Sequence, residues 1–309
     1  MLYFSSDDMS FQEFIVRVPA TTANLGPAFD CVGMALGLWN DVVIKSSDSF
    51  VLTVDGSGLE GLPKDKTNLV AKAFFRVFNE IGVEAPIVSI QCSNRIPIAR
   101  GLGSSAAAIV AGLKAANHLS QCHFSTSELL DLAVKIEGHP DNVSSALLGG
   151  VQIAITDGSK ITTSSVNIPE GLRVVLFIPS FTISTEKARS ILPSNISRDD
   201  AVFNVGRTAL LVNALASGRL EDLLLATEDK MHQPYRNPLF PAAKVIMQEA
   251  LMAEALGAFL SGSGPTIVVL VKEHEMSVVY RIAEAARKTN IQGDTRILDI
   301  TSVGAHIVS

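Results

Sequence analysis

The segment Arg95-Ile-Pro97-Ile98-Ala99-Arg100-Gly101-Leu102-Gly103-Ser104-Ser105-Ala106-Ala-Ala108 carries the densest chemistry in the chain. Two glycines let the backbone approach a ligand closely. The chain then enters an alanine-rich helix whose first N–H groups have no internal partner, a combination suited to phosphate. Ser104 and Ser105 add hydroxyls at the helix start, where one can bind a magnesium ion that bridges phosphates. The pattern is not a Walker loop, because no Lys precedes Ser104. Gly101-Leu-Gly103-Ser-Ser-Ala106 also satisfies the dinucleotide pattern G-x-G-x-x-A, but the expected strand ends near Cys92, well before the first glycine, and the next acidic candidate, Glu128, sits in a helix cap. A Gly-Ser turn that only caps a buried helix is the third reading.

Other residues stand out by type and neighbours. Glu137 ends a helix before Gly138, where the dipole disfavours a carboxylate. Asp141 and Asn142 follow Pro140 and read equally as a helix cap. Asn24 and Asp30 flank a Gly-Pro turn, and both suit a turn. Asp30, between Phe29 and Cys31, is a carboxylate among apolar neighbours and wants a cationic partner, which the ammonium of an amino acid would supply. Arg189 and Arg236 read as surface cations or as forks for a carboxylate. Gly262 and Gly264 mark a tight turn between two short strands, and His118, His123, His274 and His306 belong to no constellation.

The elements that must position these groups are legible in outline. Strands are expected at Phe14–Val18 (broken by Pro19), 42–44, 50–54, 87–92 and 151–156. Apolar spacing of three and four predicts a helix over 68–81 closed by Gly82. A helix over 105–119 follows the Gly-Ser segment, and Ser125 with Glu128 forms a capping box for another that ends at Glu137. In the second half a strand at 172–178 precedes helices at 185–192, 200–217, 219–231, 241–256 and 275–289, with strands at 258–261, 266–271 and 295–299. The polar stretch 157–171 is the expected boundary, which divides the chain into 1–165 and 166–309. The class is α+β.

Composition excludes several functions. Of 309 residues, 31 are acidic and 25 basic, a net charge of −6, so no clustered cation surface for nucleic acid is expected. Apolar residues make up 47%, enough for a sizeable core. No apolar run approaches the ~18 residues of a membrane span, and the start lacks the basic and apolar regions of a signal peptide. Residues 1–10 read as a frayed leader, with Met9 as an alternative start. Cys31, Cys92 and Cys122 lack any C-x-x-C pairing and read as reduced, mostly buried thiols in cytoplasm. Homodimerisation is the ordinary expectation for a soluble enzyme, though no segment marks an interface.

Pro97 to Ala107 resembles the phosphate-binding motif of the GHMP kinases. Pro19-Ala-Thr-Thr-Ala-Asn24-Leu-Gly-Pro-Ala-Phe-Asp30 resembles their N-terminal motif, and Gly257-Ala-Phe-Leu-Ser-Gly262-Ser-Gly264-Pro265 their C-terminal glycine-rich motif, in the same order. Glu137-Gly-His139-Pro-Asp141-Asn142, Ser184-Thr185-Glu-Lys-Ala-Arg189 and His232-Gln-Pro-Tyr-Arg236 resemble the branch whose acceptor is homoserine. The resemblance implies an N-terminal mixed α/β domain with a left-handed β-α-β unit, against the usual rule, and a C-terminal ferredoxin-like domain, with the active site between them.

It further implies ATP-dependent phosphorylation of L-homoserine to O-phospho-L-homoserine, in threonine biosynthesis. By resemblance, Pro97 to Ala106, Gly262 and Gly264 serve ATP, Asn68 lies near adenine, and Ser105 with Glu137 holds Mg²⁺. His139, Asp141 and Asn142 stand beside the substrate's hydroxyl and amino groups. Asn24, Asp30, Thr185, Arg189 and Arg236 complete the amino-acid site, the two arginines as the carboxylate clamp. Asn142 stands where the mevalonate-kinase branch carries an Asp, and it cannot accept a proton at neutral pH. Positioning and charge stabilisation can carry phosphoryl transfer without a base. Another small-molecule kinase of the superfamily, such as one acting on mevalonate, and a nucleotide-binding regulator without turnover are the competing readings.

Overall fold

The first half of the chain builds its sheet around one long strand. β1 (Phe14–Ala23) and β2 (Val32–Ser46) pair antiparallel along their length, and β2 hands its two ends to different partners. Asp41–Ser46 pairs with β4 (Val88–Asn94), and Val32–Met34 pairs with β5 (Val151–Asp157). β3 (Val51–Gly56) runs parallel to β4 across α1 (Leu69–Ile81), the β-α-β unit of this half. β6 (Lys160–Val166) closes on β5. This computed structural model describes residues 11, 13–56, 61–158 and 160–308; the leader expected over residues 1–10 lies outside them.

Pro19 does not break β1. The strand continues to Ala23, and the register slips between Pro19 and Ala20, which face Trp39 and Leu36. A proline lacks the N–H for a regular ladder, and an irregularity is where a strand tolerates it.

Helix signals agree with the structure. Asn68 caps α1 by accepting from Val70 N, and Gly82 ends it in the left-handed region. α2 (Ser104–Leu119) buries all of its alanines but Ala108, which is half-buried, and α3 (Thr126–Glu137) starts on the Ser125–Glu128 capping box. α4 (Asp141–Leu148) follows within four residues of Glu137.

The second half begins with β7 (Arg173–Pro179), and continues through α5 (Thr185–Ser190), α6 (Arg198–Ser217), α7 (Leu223–Ala226), α8 (Gln233–Arg236) and α9 (Ala242–Met252). β8 (Gly257–Leu260), β9 (Ile267–Val271), α10 (Glu275–Lys288) and β10 (Gly293–Asp299) complete it. Its antiparallel sheet has the order β10-β7-β9-β8. The β-α-β-β-α-β succession with the first and third strands central is ferredoxin-like. β7 and β9 are continuous apolar runs covered on both faces, and period-two alternation sorts their side chains: Val174, Leu176, Val268 and Leu270 join the core shared with the first half, while Val175, Phe177, Ile267 and Val269 pack with Ile246, Val278 and Ile282 of α9 and α10.

Three further expectations change. The helix expected over 219–231 is a short 3-10 turn at Leu220–Asp222 followed by α7. The Asp229 carboxylate accepts from the N–H groups of Met231, His232 and Gln233, and so competes with helix there. The 165/166 division falls at the end of β6, but the chain end does not stay with the second half: β11 (His306–Val308) returns to pair with β1. Of the three thiols, Cys92 is buried, Cys31 half-buried and Cys122 exposed. Among the described residues no helix is long and apolar enough to cross a membrane.

Candidate active site

A cleft opens where the two halves meet, and its floor is the loop from Ala99 to Gly103 with the first turn of α2. Gly101 and Gly103 both lie at positive φ, +76° and +68°. Each is also pressed from behind. A Cβ on Gly101 would sit 2.2 Å from the Ser261 carbonyl oxygen, and one on Gly103 would sit 1.9 Å from Thr21 Oγ1. Gly103 caps α2 without a side chain, so the first N–H groups of the helix are left for a ligand.

The glycine-rich turn at 261–266 braces this loop. The Ser261 hydroxyl donates to the Gly101 carbonyl, and Thr266 N–H reaches the Arg100 carbonyl at 3.3 Å. Gly262 and Ser263 reach the cleft wall. The Gly262 carbonyl accepts from Asn24 Nδ2 at 3.0 Å and from Arg236 Nη1 at 2.7 Å, joining the two halves at one atom. Arg100 turns aside: its Nη2 donates to the Ser180 carbonyl at 2.7 Å.

At one end of the cleft Ser105 Oγ donates to Glu137 Oε2 at 2.7 Å. Glu137 is the last residue of α3, and Gly138 at φ +92° turns the chain into α4. Beyond it, Asp141 Oδ1 accepts from His139 Nδ1 at 2.8 Å and from the Asn142 N–H at 2.7 Å. Burial opposes the charge on His139, but the hydrogen bond to Asp141 and the charges of Asp141 and Glu137 outweigh it and raise its pKa. The Thr21 hydroxyl donates to Asn142 Oδ1 at 2.7 Å, which turns the amide nitrogen toward Asp141.

Two arginines also line the cleft. Arg189 pairs with Asp30 through two bonds, Nη1 to Oδ2 at 2.9 Å and Nη2 to Oδ1 at 2.7 Å. Arg236 is only 3% exposed. Burial first, and the charge of Arg189 second, push its pKa down to about 10, which leaves it protonated at neutral pH. Its Nη1 also donates to His232 Nδ1 at 2.9 Å. Thr185 Oγ1 lies 3.3 Å from Ser263 Oγ on the rim.

Of the residues singled out by type and motif, the cleft gathers Asn24, Asp30, Ala99 to Ser105, Glu137, His139, Asp141, Asn142, Thr185, Arg189, Arg236 and Gly262. Pro97, Ile98 and Ala106 stand behind the loop rather than on the wall, and Ala106 is fully buried. Gly264 packs against Gly101 from the rear. Asn68 lies outside this cleft lining: its side chain caps α1 by accepting from Val70 N and donates to the Pro63 carbonyl at 2.9 Å. Thr21, Ser263, Phe29 and His232 had no role assigned from the sequence. All four sit inside quoted motifs, but no spacing rule ties position 21 to 142 or 263 to 185.

Residues 68–150 match the N-terminal domain of the GHMP kinases, and residues 211–288 match their C-terminal domain. A homoserine kinase of Desulfitobacterium hafniense is 44% identical over 95% of this chain and 99% of its own length. One of Microchaete diplosiphon is 42% identical over 94% and 95%. The crystal structure of homoserine kinase from Cytophaga hutchinsonii superposes with a TM-score of 0.88 at 28% identity, covering 100% of both chains. Mevalonate diphosphate decarboxylase from Staphylococcus aureus shares the fold, with a TM-score of 0.71 at 15% identity. With near-complete coverage of its relatives and both domain matches in order, the chain belongs to the homoserine kinases of the GHMP kinase superfamily.

Proposed function

We propose that this protein transfers the γ-phosphoryl group of ATP to the side-chain hydroxyl of L-homoserine, giving O-phospho-L-homoserine, ADP and a proton. The observation that carries this reading is the pairing, in one cleft, of the open helix start behind Gly101 and Gly103 with Asp30, Arg189 and Arg236. The first suits phosphates; the second matches the carboxylate and ammonium of a free amino acid. Family membership narrows the amino acid to homoserine.

The phosphates lie against the first turn of α2. The two arginines hold the α-carboxylate, Asp30 takes the ammonium, and Thr185 adds a hydroxyl at the rim. Asn142, fixed by Thr21 and Asp141, orients the acceptor hydroxyl. Asp141 Oδ1 already accepts from His139 and Asn142, so its work is orientation, and no general base is required. Ser105 Oγ and Glu137 fit a magnesium ion by donor type: one hydroxyl and one carboxylate, hard oxygens that leave positions for phosphate and water. Bound there, magnesium would offset the negative charge of the phosphates. The reaction belongs in the cytoplasm as one step of threonine biosynthesis.

A coupled ADP-release assay with Mg-ATP tests the reading against L-homoserine, L-serine, L-threonine, mevalonate and no acceptor. Turnover confined to L-homoserine is expected. Turnover with mevalonate alone would remove the arginine clamp, and ATP binding without turnover on any acceptor would make the chain a binder.

A further inference from the structure

Phe29 lies beside both arginines of the cleft and the histidine behind Arg236. The Cζ atoms of Arg189 and Arg236 lie 5.5 Å and 5.6 Å from its ring centroid. The His232 ring lies 5.4 Å away at 33°. His232 is fully buried, its Nε2 lies 2.7 Å from the Gly26 carbonyl, and its Nδ1 accepts from Arg236. Arg236 is therefore held at Nη1 by Gly262 and His232, and at Nε by the Ala188 carbonyl at 3.3 Å. Among the described residues its Nη2 group meets no acceptor, which leaves that edge for a ligand. Arg189 is held by the two bonds to Asp30.

Two guanidinium groups this close repel, and a polar spacer would have to be hydrogen-bonded. An aromatic face instead offers partial negative charge to both at once, without competing for their N–H groups. We propose that Phe29, backed by His232, is the positioning residue of the two cleft arginines: its ring sets their spacing and tilt so that both forks meet one carboxylate. This rests on the reading above that the arginines hold the amino-acid carboxylate.

The test separates ring electrostatics from volume. In Phe29→Leu, which keeps apolar bulk without a π face, KM for L-homoserine rises about tenfold, while kcat stays within about twofold and KM for ATP is unchanged. Phe29→Tyr, which keeps the face, returns KM to within about twofold of wild type. Incorporation of 3,4,5-trifluorophenylalanine at position 29 keeps the outline but drains negative potential from the ring, and it raises the same KM; this variant decides the matter should Phe29→Leu fail to fold. An unmoved KM in the trifluoro variant, or a loss that falls on kcat or on ATP, overturns the proposal. Wild-type protein that does not phosphorylate homoserine sinks the functional reading and this inference together. Wild-type turnover with an unmoved KM sinks this inference alone.

Discussion

Asp30 and Arg189, 159 positions apart in sequence, close on each other with two hydrogen bonds of 2.9 Å and 2.7 Å across the cleft. Asp30 was expected to want a cation because of its apolar neighbours, and the guanidinium is that cation. Each is also the complement of one end of a zwitterion. An amino acid that enters here offers its carboxylate to Arg189 and its ammonium to Asp30, so neither side chain is left as an unpaired charge. A ligand with only one of the two charges complements only one of the two partners.

The arginines then govern affinity for the acceptor. Arg189→Ala and Arg236→Ala each remove charge-assisted hydrogen bonds worth roughly 1.5–3 kcal/mol, or about 10- to 150-fold in KM for homoserine. Arg236→Ala has the larger effect, because Arg236 is the more buried and its loss also removes one of the two hydrogen bonds to the Gly262 carbonyl. Steady-state kinetics with homoserine varied at saturating ATP are the measurement. Unchanged kinetics in both variants would remove the clamp.

The metal assignment makes a separate prediction. Ser105 and Glu137 are joined at 2.7 Å and, among the described residues, form no hydrogen bond or ion pair with either arginine. Ser105→Ala and Glu137→Gln shift the magnesium titration of activity to higher concentration, by about tenfold for the loss of the carboxylate. KM for homoserine is affected far less. Titrations that overlay wild type would show that the ion is held elsewhere.

Much of the local architecture was legible because its signals are local. Asn68 and Gly82 bracket α1, and Ser125 with Glu128 opens α3. The first part of β2 was not, for a physical reason: Val32 to Leu36 is buried on both faces, so it shows no alternation. β11 was missed because its pairing with β1 joins the two chain ends. The site divides in the same way. Its motif residues are recognisable in short stretches, but the contacts that orient them, Thr21 to Asn142 and Phe29 to Arg189 and Arg236, span up to 207 positions and leave no periodic trace.

The bracing of the phosphate loop gives a stability prediction with an internal control. In Gly101→Ala the new methyl meets the Ser261 carbonyl at 2.2 Å, and the residue stays at φ +76°. Backbone strain of about 1–2 kcal/mol adds to overpacking of about 1–3 kcal/mol. Gly262→Ala meets nothing closer than 3.7 Å at φ +52°, so strain is its main cost. Denaturant unfolding should rank Gly101→Ala well below Gly262→Ala, with KM for ATP raised in the former. Equal stabilities would mean that the loop is not pressed against the glycine turn.

His232 ties Arg236 of the cleft to pH. Burial first, reinforced by the charge of Arg236 and opposed by Asp229, lowers its pKa from 6.5 to about 4. Asp30 also faces it and raises it slightly. Neutral His232 is the form that accepts from Arg236, since a protonated ring would turn a second donor on it. The unfolded chain takes up this proton first, near pH 6.5, and the folded chain only near pH 4. The stabilisation from a neutral His232 is therefore fully present above pH 6.5 and is lost as pH falls from there toward 4, on the order of 3 kcal/mol in all. In His232→Gln the side-chain oxygen still accepts from Arg236 and the nitrogen still donates to Gly26, but nothing titrates. Its unfolding free energy should fall less steeply than wild type between pH 6.5 and 4, the carboxylates contributing equally to both proteins. Parallel curves across that window would show that His232 does not carry the proton linkage.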